Sequence, residues 1–261
     1  MIALSDSRIR LEFDGALAVI TLCRPEKLNA LDRAMVAALA EAADQIERET
    51  AVSVAILTGE GKAFSAGGDI AAWAGEPPSE FHRRWIRDGH RAFDALARLR
   101  VPLIAVLNGH ALGGGLELAA TADIRIAEAH ARIGLPETTL GMVPGWSGTQ
   151  RLVRRFGSQA VRRMSLGAEM FSAGDALALG LVDAVVETGQ GMAGARLRAA
   201  RIAASGPIAV EAAKLLINAA EQEDSAATLE ALAGGLVART QDLREGIAAF
   251  REKRSARFTG E

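Results

Sequence analysis

The chain has 261 residues, 49% hydrophobic and 24% charged, the mix of a folded protein and not of a disordered one. Thirty Lys and Arg against 32 Asp and Glu leave a net charge of −2, so no basic field points to nucleic acid or to a membrane surface. One cysteine, Cys23, excludes a disulfide framework and fits a reducing compartment, and the four histidines form no HExxH pair, so no metal site is expected. No stretch reads as a sorting signal or a membrane span, and the expectation is a soluble, cytoplasmic protein.

The first half alternates strand and helix patterns. Leu17–Cys23 (LAVITLC) is rich in β-branched residues and is stopped by Arg24-Pro25. Met35, Leu39, Ala42, Ala43 and Ile46 then recur at the spacing of an amphipathic helix over 34–49. Further strands are predicted over 52–58, 101–107 and 124–127. Pro77-Pro78-Ser79 predicts a helix over 79–99 with Ser79 as N-cap, Phe81, Trp85, Phe93, Leu96 and Leu99 inward, and Arg83, Arg84, Arg87 and Arg91 outward. Strand–helix alternation of this kind predicts an α/β fold. Beyond residue 190 the pattern is helical over 192–204, 207–220, 225–240 and 242–253. The expected organisation is a core over 1–190 that carries the active site, followed by a helical region over 191–261.

Several glycine motifs fail. Leu118 stands where GxGxxG needs its third glycine, Ala63 follows Gly61-Lys62 where a P-loop needs Ser or Thr, and Thr149 breaks GxSxG around Ser147. Ser147 to Gln150 instead fits a capping box at the start of a helix over 149–156.

The informative stretch is NGHALGGGLELAATA, Asn108–Ala122. A glycine turn follows a strand, and a helix starts near Gly113 or Gly114, leaving N–H groups able to hold a developing oxyanion. The helix is apolar except at Glu117 and Thr121, so it is predicted to be buried. A buried carboxylate needs a partner or a task, because burial without compensation costs several kcal/mol or more. Glu117 lies about 4.5 Å along the axis from Gly114 on the same face, within reach of one ligand. The plain alternative is a structural turn with Glu117 paired to a buried arginine. Lys62–Ile70 (KAFSAGGDI) offers a second glycine turn after a strand, with N–H groups at Ala66, Gly67 and Gly68. Glu137 follows Pro136 in a turn-rich segment, either solvated or part of the same site. Two carboxylates beside two oxyanion donors suit proton transfer on a chain with a polarised carbonyl.

In RPEKLNAL (24–31), AFSAGGDI (63–70), NGHALGGGLELA (108–119), LPETTLGMVPGWSGTQRL (135–152), SAGDALALGLVDAVV (172–186) and the AFREKRSARF tail (249–258), the chain resembles the enoyl-CoA hydratase/isomerase (crotonase) family along nearly its whole length. The resemblance implies a spiral of ββα units with a C-terminal helical region that drives trimers or dimers of trimers. It implies that Gly68 and Gly114 N–H groups grip a thioester carbonyl and that Glu117 and Glu137 are catalytic. Ala66, Gly68, Asp69, Ile70, Gly114 and Gly145 would contact an acyl-CoA substrate. Arg24 and Lys27, or Lys253 and Arg254 of a neighbouring subunit, would meet the CoA phosphates. Coenzyme A arrives as part of the substrate, and no cofactor is implied.

The implied activity is hydration of a 2-enoyl-CoA. A 3,2-enoyl-CoA isomerase would use Glu137 alone. A member of another class, binding RNA or acting as a scaffold, would draw on the arginines at 83–91 or on Arg151, Arg154, Arg155, Arg162 and Arg163, which the near-zero net charge opposes. Trp146 is unusual, since the family carries a small residue there. It is expected either to close one side of an acyl pocket or to pack at a subunit contact, and the helix over 79–99, with Trp73 before it, is the expected roof.

Overall fold

The computed structural model describes residues 2–75 and 77–261. Their contacts form two compact units, one reaching to Lys214 and one over Leu215–Glu261. The first carries the strands β1 (Ile9–Asp14), β2 (Leu17–Leu22), β3 (Val54–Gly59), β4 (Ala63–Ser65), β5 (Leu103–Leu107), β6 (His110–Leu112), β7 (Ile124–Glu128), β8 (Arg132–Gly134), β9 (Phe171–Ser172) and β10 (Ala184–Val186).

Six of them form a sheet in the order β1-β2-β3-β5-β7-β10, and four a second sheet in the order β4-β6-β8-β9. In the larger sheet only β1 and β2 pair antiparallel. The pairs β3–β4, β5–β6 and β7–β8 each send their first strand to the larger sheet and their second to the smaller. The chain therefore winds as a spiral, the α/β architecture that the resemblance implied. β2 is buried at every position, Thr21 included, and β5 likewise, as expected of strands covered on both faces.

Because side chains alternate along a strand, the two faces are distinct. Ala18, Ile20, Leu22, Ala55, Leu57, Ala105 and Leu107 pack in one core with the helix Arg33–Arg48, whose Asp32 cap accepts from Met35 N–H at 3.1 Å. Val19, Val54, Ile56, Ile104, Val106 and Ile126 pack in a second core with Ala195 and Ala199 of the helix Gly191–Ala203. That helix covers the sheet's other face and belongs to the first unit, which reaches to Lys214. The second unit contains the helices Ser225–Val237 and Gln241–Glu252, the latter capped by Thr240, which accepts from Leu243 N–H at 3.1 Å. Leu236 and Phe250 are 72% and 85% exposed. Among the described residues no single helix is long and apolar enough to cross a membrane.

Candidate active site

The two glycine turns leave neighbouring strands. β4 and β6 pair in parallel, so the turns at 66–69 and 113–114 emerge side by side from the same sheet end. Gly67 (φ +93°) and Gly113 (φ +53°) adopt backbone conformations that L side chains rarely reach. A Cβ at Gly67 would stand 2.8 Å from Leu112 O and 3.0 Å from Gly114 N, so only glycine lets the turns touch. The helix Gly114–Ala119 starts there, and its first N–H has no carbonyl a turn earlier to meet. Among the described residues, neither Gly68 N–H nor Gly114 N–H donates to the protein, and both glycines line one cavity.

RPEKLNAL braces the first turn. Asn29 donates through Nδ2 to Glu60 O (2.9 Å) and Ala63 O (2.8 Å), and its Oδ1 accepts from Arg24 N–H at 2.8 Å. Ser65 Oγ donates to Asn29 O at 2.8 Å and accepts from Gly67 N–H at 3.1 Å. Arg24 pairs with Asp69 at 2.9 Å, while Asp69 caps the short helix Ile70–Trp73 by accepting from Ala71 N–H. Arg24 thus braces the turn through Asp69, and Arg24, Lys27 and Asp69 stand outside the cavity lining. The bracing roles of Asn29 and Ser65 were not foreseen. A small polar residue just before AGG was the only available signal.

Glu117 points from its buried helix and is 3% exposed. Its partner is a pair of main-chain donors and not a buried arginine: Oε1 accepts from Trp146 N–H and Gly148 N–H, each at 2.7 Å. Burial pushes its carboxyl up to about 7; these N–H groups oppose the shift, and the nearby Glu137 adds to it. Glu137 sits in the short 3₁₀ helix Pro136–Leu140, half-buried instead of solvated. Its Oε2 is enclosed with no hydrogen-bond partner, and burial raises its pKa. Its carboxylate lies so close to Gly113 that a Cβ there would be 2.8 Å from Oε1.

Both carboxyls, both acceptor-free glycines, Ala66, Ile70 and Gly145 line a single cavity with about 110 Å³ of space open to water. Its apolar side includes Trp73, Phe81, Trp85, Ile86, Val143 and Trp146. The roof is the expected helix with two differences. It begins at Pro78, with Pro77 in the capping position and no side-chain cap, so Ser79 lies inside the helix. A proline at the first helical position is already set to the helical φ and has no N–H to satisfy. Over Phe81–Ile86 the roof takes a π-helical turn before the α-helix Arg87–Ala97. A π turn brings residues five apart into line, and Phe81 and Ile86 both face the cavity.

Trp146 is 3% exposed and lies in the cavity wall. Its Nε1 donates to Trp85 O at 3.1 Å, and its ring packs 4.8 Å from Trp85 and 5.1 Å from Phe93. A Cβ at Gly114 would stand 2.8 Å from its Cζ3, and one at Gly89 would collide with Nε1. Ser147 holds the N-cap position of the helix Gly148–Phe156, but its side chain makes no capping hydrogen bond. Its φ is +71°, and its hydroxyl pairs with Nδ1 of His90 instead, while the Gly148 N–H donates to the Glu117 carboxylate. The second arginine group is not a surface patch throughout. Arg151 is buried against Asp94 at 2.7 Å, and Arg155 donates to Ala120 O and Ala122 O.

Around one cavity, then, two carboxyls with raised proton affinity face two main-chain donors, which suits moving a proton onto carbon beside a polarised carbonyl. The enoyl-CoA hydratase/isomerase family profile matches residues 12–261. The chain is 38% identical to the crotonyl-CoA hydratase of Syntrophomonas wolfei, covering 96% of this chain and 97% of that one. It is 39% identical to the short-chain-enoyl-CoA hydratase of Clostridium acetobutylicum, covering 95% and 96%. The solved structure of Pseudomonas aeruginosa DspI superposes with a TM-score of 0.82 at 35% identity, covering 98% of each chain. With the spiral, the paired turns and a match over almost its whole length, the chain belongs to the enoyl-CoA hydratase/isomerase family.

Proposed function

We propose that this enzyme adds water across the 2,3 double bond of a 2-enoyl-CoA thioester, syn, to give the 3-hydroxyacyl-CoA. The observation that carries the reading is the convergence of Glu117, Glu137 and the acceptor-free N–H groups of Gly68 and Gly114 on one cavity. In this reading the thioester oxygen accepts from both glycines, which draws electron density from C3. Glu117 takes a proton from water as the oxygen bonds to C3, and the π electrons shift to C2 and the carbonyl. Glu137 delivers a proton to C2 as the enolate collapses. Losing one such oxyanion donor typically costs about 100- to 1,000-fold in rate. An isomerase working through Glu137 alone would leave the gripped Glu117 carboxylate without a task.

Coenzyme A is part of the substrate, and the chemistry calls on no other group. Of the two nearby cations expected at its phosphates, Arg24 is engaged by Asp69, while Lys27 is exposed and has no ion pair among the described residues. The exposed Leu236 and Phe250 support assembly into trimers or dimers of trimers, and the composition supports a cytoplasmic setting. Light scattering of the purified protein should give a mass three or six times that of the chain; a monomer would exclude the assembly. The activity itself is tested by loss of the conjugated enoyl-thioester absorbance with crotonyl-CoA, and an inactive preparation that is folded would overturn it.

The wall of the cavity bears on chain length. Trp146→Ala should raise kcat/KM for an eight-carbon enoyl-CoA relative to crotonyl-CoA by about tenfold, since a few methylenes in an apolar pocket decide discrimination of that size. Gly89→Ala should shift the ratio as well, by displacing the indole without altering it. A ratio unchanged in both variants would show that the indole does not limit the acyl chain.

A further inference from the structure

Ser147 holds φ at +71°, a conformation that costs a non-glycine residue on the order of 1 kcal/mol or more. It stands between the two residues whose N–H groups grip Glu117, namely Trp146 and Gly148. Its hydroxyl shares a 2.7 Å hydrogen bond with Nδ1 of His90 and lies 3.5 Å from Oδ1 of Asp94. The same Asp94 oxygen accepts from Arg151 Nη2 at 2.7 Å, and Arg151 N–H closes the first helical turn on Ser147 O at 2.8 Å. His90 and Asp94 belong to the roof helix Arg87–Ala97, and Ser147 and Arg151 to the start of the helix Gly148–Phe156. None of these four side chains lines the cavity.

From this geometry we propose that Ser147 and His90 are positioning residues: their hydrogen bond clamps the Trp146–Gly148 turn to the roof helix so that both N–H groups stay aimed at one oxygen of Glu117. The inference rests on Glu117 being the base. Two converging main-chain donors orient a carboxylate only while the turn that carries them is fixed. The strained φ at Ser147 is what makes Trp146 N–H and Gly148 N–H point the same way, and the His90 tether offsets that strain. The groups facing His90 are Asp94 on its own helix and Arg151 across the contact, a compensating pair. Glu137 faces Glu117 across the cavity.

The tests are Ser147→Ala, which removes the hydroxyl, and His90→Phe, which removes the ring nitrogen. Ser147→Gly removes the hydroxyl and the strain together and is the variant least exposed to misfolding. Each should lower kcat on crotonyl-CoA about tenfold with KM within about twofold of wild type. The acid limb of the kcat/KM profile should move upward in pH, because a carboxylate with slack donors holds its proton more tightly. His90→Asn, which restores a hydrogen-bonding atom near Nδ1, should recover most of the loss. Wild-type kcat and an unmoved acid limb in folded Ser147→Gly and His90→Phe would overturn the proposal. A wild-type enzyme without activity on crotonyl-CoA, or a Glu117→Gln variant with full activity, would instead remove the reading on which it rests.

Discussion

Glu117→Gln and Glu137→Gln are each expected to lower kcat on crotonyl-CoA by two to four orders of magnitude, with KM changed far less. General acid or base assistance by a positioned side chain contributes about 10²- to 10⁴-fold. Glutamine keeps the shape and one carbonyl oxygen, so Trp146 N–H and Gly148 N–H retain an acceptor at position 117. What is lost is the proton exchange alone. Because the two carboxyls would handle one water between them, their effects should not add, and the double variant should be little slower than the worse single one. Stopped assays at matched concentrations, with circular dichroism to establish folding, decide the matter. Near wild-type turnover in either single variant would rule out a two-carboxylate mechanism.

The same Glu117→Gln substitution should make the protein more stable, and increasingly so as pH rises. Burial holds the folded carboxyl at about 7 against an ordinary value of 4.5. Between those values the folded state keeps a proton that the unfolded state has released. Stability contributed by this group is therefore full below about 4.5, falls as pH rises toward 7 and stays low above it. At 1.36 kcal/mol per unit the loss approaches about 3 kcal/mol, which for a chain of this size corresponds to roughly 5–10 °C in Tm. Glutamine carries no charge and escapes the penalty. The Tm difference between variant and wild type should be small near pH 4.5 and reach several degrees at pH 8, at fixed protein concentration. A difference that does not vary with pH would mean that Glu117 is no more costly to ionise in the folded protein than in water.

Much of the architecture is readable from local pattern. LAVITLC and Val52–Thr58 declare strands through their β-branched and apolar content, and the spacing from Met35 to Ile46 declares a helix. The strands β4, β6 and β8 are not readable in this way. Each has three residues, too few for a period to show, and they lie inside glycine motifs whose composition suggests loops. Yet their pairing is what sets the two glycine turns side by side. The catalytic candidates were visible as an acidic residue in an apolar helix and a glutamate after a proline, but their convergence on one cavity depends on that unseen sheet.

At two positions a partner distant in sequence competes with the local pattern, and at a third the immediate neighbours do. Ser147 meets the sequence rule for a capping box, yet its hydroxyl pairs with His90 of the roof helix and accepts no helical N–H. Arg24 looks like a free cation and is held by Asp69. Ser79 looks like a cap, and the proline pair before it starts the helix sooner.

The adjacency of β4 and β6 has a consequence for how such an enzyme can change. The two main-chain donors are fixed by neighbouring rungs of one small ladder, whereas the roof at 78–97 and the turn at 136–143 enter the cavity from elsewhere in the chain. Carbonyl activation, as proposed for the paired turns, and acyl recognition would thus be carried by different parts of the chain. In the proposed mechanism the roof can be reshaped around His90, and the turn around Glu137, for a different carbon skeleton without retuning the electrophile, so divergence in substrate need not begin with a loss of chemistry.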